Sequence, residues 1–196
     1  MTESIYQAPE SKLEAGETNA NKEFFIVSTK KLTILYFVTL GVYSFYWFYK
    51  NWKIVASNHN LSVWPVVRAI FPIFFIHSLF AFVEDNVERS YAVKWKGAGI
   101  ATMYVVCSLS VFCLTQAANK SIGSPYTDVF SFLLIFGAWF PLYSAQQQIN
   151  RCCGDPAGSV NNSMRGWNYV LLVMEGLYWI IVVLGYFLIA TGYTVD

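Results

Sequence analysis

Four stretches of this 196-residue chain contain no Asp, Glu, Lys or Arg: Leu32–Tyr49, Gly97–Asn119, Val129–Asn150 and Gly176–Val195. They run for 18, 23, 22 and 20 residues, and a helix needs about 20 mostly apolar residues to cross a bilayer. About a quarter of a soluble chain is charged, whereas only 13% of this one is, and 56% is hydrophobic. The sequence therefore reads as an all-α polytopic membrane helix bundle, made of one embedded domain over residues 24–196 behind a polar tail at 1–23.

The same numbers exclude several functions. A net charge of +1 with scattered basic residues offers no stripe for a phosphate backbone, so no nucleic-acid partner is expected. Cys107 and Cys113 lie in an apolar segment, and Cys152 and Cys153 are adjacent. That spacing builds neither a disulfide framework nor a metal site, and no cofactor is implied. The tail has no apolar stretch behind a basic start, so it does not read as a cleaved signal peptide.

Five apolar segments follow, at about 32–50, 66–83, 97–117, 126–149 and 167–191. Four read as spans. The second carries Arg68, Pro72 and His77, and either spans or re-enters. Ahead of the first, Phe24, Phe25, Ile26 and Val27 beside Lys30 and Lys31 have the composition of a bilayer interface. With five spans, nine of the thirteen Lys and Arg fall on the N-terminal side, which puts the N-terminus in the cytoplasm. If the second segment does not cross, the tally turns the other way. One repeat, pairing Gly41 to Trp64 with Gly137 to Trp167, has few identities, and shared membrane composition accounts for it.

The run from Phe24 to Val55, FFIVSTKKLTILYFVTLGVYSFYWFYKNWKIV, resembles the opening of an uncharacterised family of small bacterial polytopic inner-membrane proteins. Its mark is Tyr46-Trp47-Phe48-Tyr49-Lys50-Asn51-Trp52 at the end of the first membrane helix. Arg68 to Phe71, His77 to Phe80, Pro141-Leu142, Gln146 to Asn150 and Asn162 with Trp167-Asn168 resemble later landmarks. The resemblance implies a multi-pass protein of the bacterial inner membrane, and no activity or cofactor. Glu175 stands where the family pattern is small or apolar.

Two groups of residues carry chemistry. Trp47, Tyr49, Lys50, Asn51 and Trp52 form a ring-and-cation cluster that either fixes helix depth or binds lipid headgroups. Lys50 and Lys53 can reach the headgroups beyond it. The second group is intramembrane and polar. Gln146 and Asn150 stand four apart on one helix face, either lining a cavity or joining helices by hydrogen bonds. Pro141 withdraws one N–H from the same helix. Glu175 lies about 13 Å into the fifth segment, where an acid needs a partner, a proton or water, and His77 and Arg68 are the nearest candidates by type.

No nucleophile-elbow, zinc-helix or phosphate-loop motif is present, and the chain does not read as an enzyme. Two classes remain. One is a noncatalytic accessory, immunity or interaction component of the cell envelope, with the bilayer and a membrane-protein partner or a second copy as its contacts. The other is a small transporter or channel subunit using Gln146, Asn150, Glu175 and His77 as a polar route.

Overall fold

The structure, a computed structural model, describes residues 23–91, 94–123 and 125–191, so almost all of the polar tail and the C-terminal 192–196 lie outside the described residues. All regular structure among them is helical: α1 (Thr29–Val38), α2 (Tyr43–Asn58), α3 (Pro65–Ile70), α4 (Pro72–Tyr91), α5 (Gly97–Ala118), α6 (Tyr126–Cys152) and α7 (Gly166–Ala190), with a single 3-10 turn at Ser159–Asn161. Three stretches are long and apolar enough to cross a bilayer, namely α5, α6 and Asn168–Gly185 within α7.

The first apolar segment is not one helix. Ser28 caps α1 by accepting the Lys31 N–H on its hydroxyl at 3.2 Å. Ten residues later the chain turns out of the helix. Leu40 and Gly41 have φ of +45° and +90°, Gly41 N–H reaches Tyr36 O at 2.7 Å and Leu40 N–H reaches Phe37 O at 3.2 Å. That pair of bonds is the Schellman ending, with Leu40 in the left-handed position usually given to glycine. Thr39 joins the two helices. Its hydroxyl donates to Leu35 O at 2.7 Å and accepts from Tyr43 N–H at 2.9 Å.

The second segment is broken as well. Pro65 starts α3 in the position where its missing N–H costs nothing, and Pro72 forces Phe71 out of helical geometry, to φ −113° and ψ 56°. The expectation of continuous helices over 32–50 and 66–83 is thus corrected by a glycine turn in one and a proline in the other. The weak repeat also fails, because the chain breaks at Gly41 while α6 runs unbroken through Gly137.

α5 and α6 form an antiparallel hairpin whose paired ends, Gly97 to Cys107 and Ala138 to Asn150, are enclosed by α1, α2 and α4. Small residues allow the approach, with Ala101, Ala138 and Ala145 buried. At Gly137 a Cβ would stand 2.8 Å from Cys107 Sγ. We expect Gly137→Ala to destabilise the protein by about 1–3 kcal/mol through overpacking, and Cys107→Ala to restore most of that loss. Thermal unfolding in detergent of both single variants and the double variant checks it; no recovery in the double variant would mean the strain lies elsewhere.

The core is aromatic and centred on α2. Trp47, Phe48 and Trp52 are fully buried against Ile76, Leu79, Phe80 and Val83 of α4 and Leu142 and Ile149 of α6. Such rings bury about 150–250 Å² each, so this cluster carries much of the packing. α7 differs from every other long helix in having no buried residue among those described; it touches α1, and Leu172 packs partly on the core.

Candidate functional site

The densest polar arrangement surrounds an extended strap, residues 24–28, that precedes α1. Phe24, Ile26, Val27 and Ser28 are buried within the protein. A buried extended strand without a neighbour in a sheet must find other partners for its backbone groups, because orphaned ones are costly. Here the partners are side-chain amides. Asn51 Oδ1 accepts Phe25 N–H at 3.1 Å, and Gln146 Nε2 donates to Phe25 O at 3.1 Å. Asn161 Nδ2 donates to Ile26 O at 3.1 Å and Asn150 Nδ2 to Val27 O at 3.0 Å.

The clamp is closed upon itself. Gln146 Nε2 also donates to Asn150 Oδ1 at 2.7 Å, Gln146 Oε1 accepts Trp47 Nε1–H at 2.5 Å, and Asn51 Nδ2 donates to Trp47 O at 2.9 Å. Asn51, Gln146 and Asn150 are fully buried. Helix spacing explains the geometry: Trp47 with Asn51 and Gln146 with Asn150 are pairs four apart, so each pair faces the strap from one helix. Gln146 and Asn150 therefore join an extended segment to the bundle.

Lys31 extends this network, and sequence reasoning placed it at the membrane surface. It is buried, and its ammonium donates to Asn161 Oδ1 and to Ser163 O, both at 2.8 Å. With the Asn168 amide oriented to satisfy both its atoms, Asn168 Oδ1 accepts a third bond from Lys31 at 3.1 Å and one from Arg165 N–H at 3.1 Å. Burial, followed by the charge of Arg165, lowers the Lys31 pKa below its ordinary value of 10.5.

The loop carrying Asn161 is shaped by a turn legible in the sequence, Asp155-Pro156-Ala157-Gly158. Asp155 Oδ2 accepts Val160 N–H at 3.0 Å and Oδ1 accepts the Ser159 hydroxyl at 2.8 Å. Those donors, the Val160 N–H foremost, hold its carboxyl below the usual aspartate range. Gly158, at φ +65°, lies directly on the strap: a Cβ there would be 2.5 Å from Ser28 N and 2.6 Å from Val27 C. The Asp-Pro-x-Gly run is the signal by which this turn could be found. Nothing in the sequence located what it touches.

The remaining residues do not converge. The expected cluster of Glu175, His77, Arg68, Gln146 and Asn150 is divided among separate partners. His77 Nε2 is 3.1 Å from Thr102 Oγ1, and since that hydroxyl donates to Ala98 O at 3.0 Å, the histidine is the donor. Arg68 lies over Trp52, 4.1 Å from the ring centre, and over Phe75 at 5.0 Å. Glu175 is half-buried on α7 and makes no hydrogen bond or ion pair with a described residue.

The ring-and-cation cluster also divides. Trp47, Asn51 and Trp52 are core, fully enclosed by protein and so not open to a headgroup. The cause is the turn at Leu40–Gly41, which sets α2 with this face against α4 and α6. Tyr49 and Lys50 are half-buried, and Lys50 Nζ is 5.6 Å from the Tyr46 ring centre and 6.0 Å from that of Phe25. Among the described residues, one buried side-chain polar atom has no partner, Trp52 Nε1. In comparison with known proteins the chain matches no family model, no curated protein and no solved structure.

Proposed function

We propose that this chain is a multi-pass protein of a bacterial inner membrane that acts without catalysis, as an accessory, immunity or interaction component binding a membrane-protein partner through α7. One observation carries the reading. Glu175 sits nine residues inside an apolar helix with no buried residue among those described, and no group among the described residues answers its charge. At about 1.5 Å per residue that is about 13 Å from the start of α7, where an unpaired acid costs about 2.5–3.5 kcal/mol on insertion scales. A partner helix presenting Lys, Arg or an amide at the same depth removes that cost. Engagement of the Gln146 and Asn150 amides by the strap leaves the transporter alternative without its main polar face.

The bacterial address rests on the resemblance of residues 24–55. Orientation follows from charge near the three apolar helices. With α5, α6 and α7 as the spans, Arg89, Lys94, Lys96, Arg151 and Arg165 flank them on one side and Lys120 on the other. The positive-inside rule then puts the N-terminus and the strap in the cytoplasm and the end of α7 outside. In the four-span alternative, in which the first broken segment also crosses, the same rule keeps the end of α7 outside and moves the N-terminus outside as well.

Affinity purification of the full chain in mild detergent tests the reading. We expect a stoichiometric membrane-protein partner with the natural chain and its loss from Glu175→Leu at unchanged abundance. Equal partner recovery with Glu175→Leu, or a monomer that conducts solute in liposomes, overturns it. A reporter active only in the cytoplasm should be silent at the C-terminus and active at the N-terminus.

A further inference from the structure

Around the break between α3 and α4 the surface is apolar yet built about one cation. Val63, Trp64, Val67, Arg68 and Phe75 line a shallow cleft of about 290 Å³. Trp64 is 78% exposed, and Val66, Ile70, Phe71 and Phe74 beside it are exposed as well. Arg68 is held in place at 4.1 Å over the Trp52 ring and 5.0 Å from that of Phe75. Stacking uses the faces of a guanidinium and leaves its in-plane N–H donors free. Those donors have no acceptor among the described residues, and burial lowers the pKa without removing a charge that arginine keeps at any ordinary pH. The acids of α4 begin at Glu84, nine residues and about 13 Å beyond Phe75 along the helix.

We propose that this cleft binds the headgroup of an anionic phospholipid, with the Arg68 fork on its phosphate and Trp64, Val67 and Phe75 against its glycerol and upper acyl chain. A half-buried guanidinium without a counter-ion is costly, and phosphate oxygens match its planar donors two at a time. The exposed apolar rim rules in an amphiphile over a free ion, because inorganic phosphate covers none of that surface. A headgroup with net negative charge fits better than phosphatidylcholine, whose own cation would approach Arg68. The indole beneath Arg68 supplies the one buried unpartnered donor of the described fold, so this corner is where polar groups remain unanswered. The proposal rests on the membrane reading above, but not on the partner of α7.

The test uses the full chain in nanodiscs of phosphatidylcholine with or without 20 mol% phosphatidylglycerol, read by native mass spectrometry of lipid retained after transfer to detergent. A charge-assisted hydrogen bond contributes about 1.5–3 kcal/mol, so the natural chain should retain phosphatidylglycerol over phosphatidylcholine by about tenfold or more. Arg68→Gln should bring the two lipids to parity, and Trp64→Ala, which removes an exposed side chain only, should reduce retention of both. Parity in the natural chain, undiminished preference in Arg68→Gln, or protection from thermal unfolding by inorganic phosphate equal to that by the lipid overturns the proposal. If Arg68→Gln does not fold, unchanged lipid retention by Trp64→Ala overturns it alone. A chain that stays monodisperse in buffer without detergent or lipid would instead defeat the membrane reading.

Discussion

Gly158→Ala is expected to abolish accumulation of folded protein, or to lower its thermal midpoint more than any other single-methyl change in the chain. Two effects add. An alanine at φ +65° costs about 1–2 kcal/mol, and its methyl would meet backbone atoms of Val27 and Ser28 at 2.5–2.6 Å. Backbone cannot rotate away as a side chain can, so overpacking adds about 1–3 kcal/mol more. The damage would spread along the strap, because Asn161 O, which accepts Ser28 N–H at 3.4 Å, and the amides on Ile26 and Val27 all depend on this approach. Limited proteolysis should then cut near residues 23–30. A Gly154→Ala control, also at positive φ but with nothing within 4 Å of its Cβ, should show the conformational cost alone. Equal loss in the two variants would show that contact with the strap is unimportant.

Gln146→Leu is expected to be nearly as damaging, although it makes a buried position more apolar. The substitution leaves Trp47 Nε1–H and Phe25 O without their partners and removes a donor from Asn150 Oδ1. Each buried group left unsatisfied costs about 1–3 kcal/mol, so the loss should be about 2–5 kcal/mol. Gln146→Glu keeps an acceptor for the indole but loses the donor to Phe25 O, and should also destabilise the fold. The comparison separates glue from pathway. If Gln146 lined a wet route, Gln146→Leu would leave the stability in place, and a loss of unfolding free energy under about 1 kcal/mol would count against the clamp.

These expectations show which parts of the molecule were legible in advance. α5, α6 and α7 lie where the long apolar segments placed them, at 97–117, 126–149 and 167–191. A run of that kind satisfies its backbone internally and needs no information from elsewhere in the chain. The break at Pro72 also had a local cause, since a residue before proline avoids helical geometry. The break at Leu40 did not. A branched residue in the left-handed region is disfavoured locally, and it persists because Thr39 and the docked faces of α1 and α2 hold it.

Burial was the larger surprise. Trp47, Trp52 and Asn51 belong to a sequence that describes an interfacial girdle and a protein core equally well, since both want large rings with a few polar groups. Likewise Gln146 and Asn150 read as a polar face, with no sign that an extended strap more than a hundred residues earlier would consume their hydrogen bonds.

The sequence by itself therefore determined the helical class of the chain and the places of its three long apolar helices. Only the tertiary structure decided which side of each helix meets protein. Helix formation in an apolar run is a local matter of backbone hydrogen bonds, whereas the partner of a buried amide or ring is chosen by segments far apart in the chain. That is why Arg68, one charged residue among hydrophobics in the sequence, becomes in three dimensions a cation fixed between two rings with its donors open.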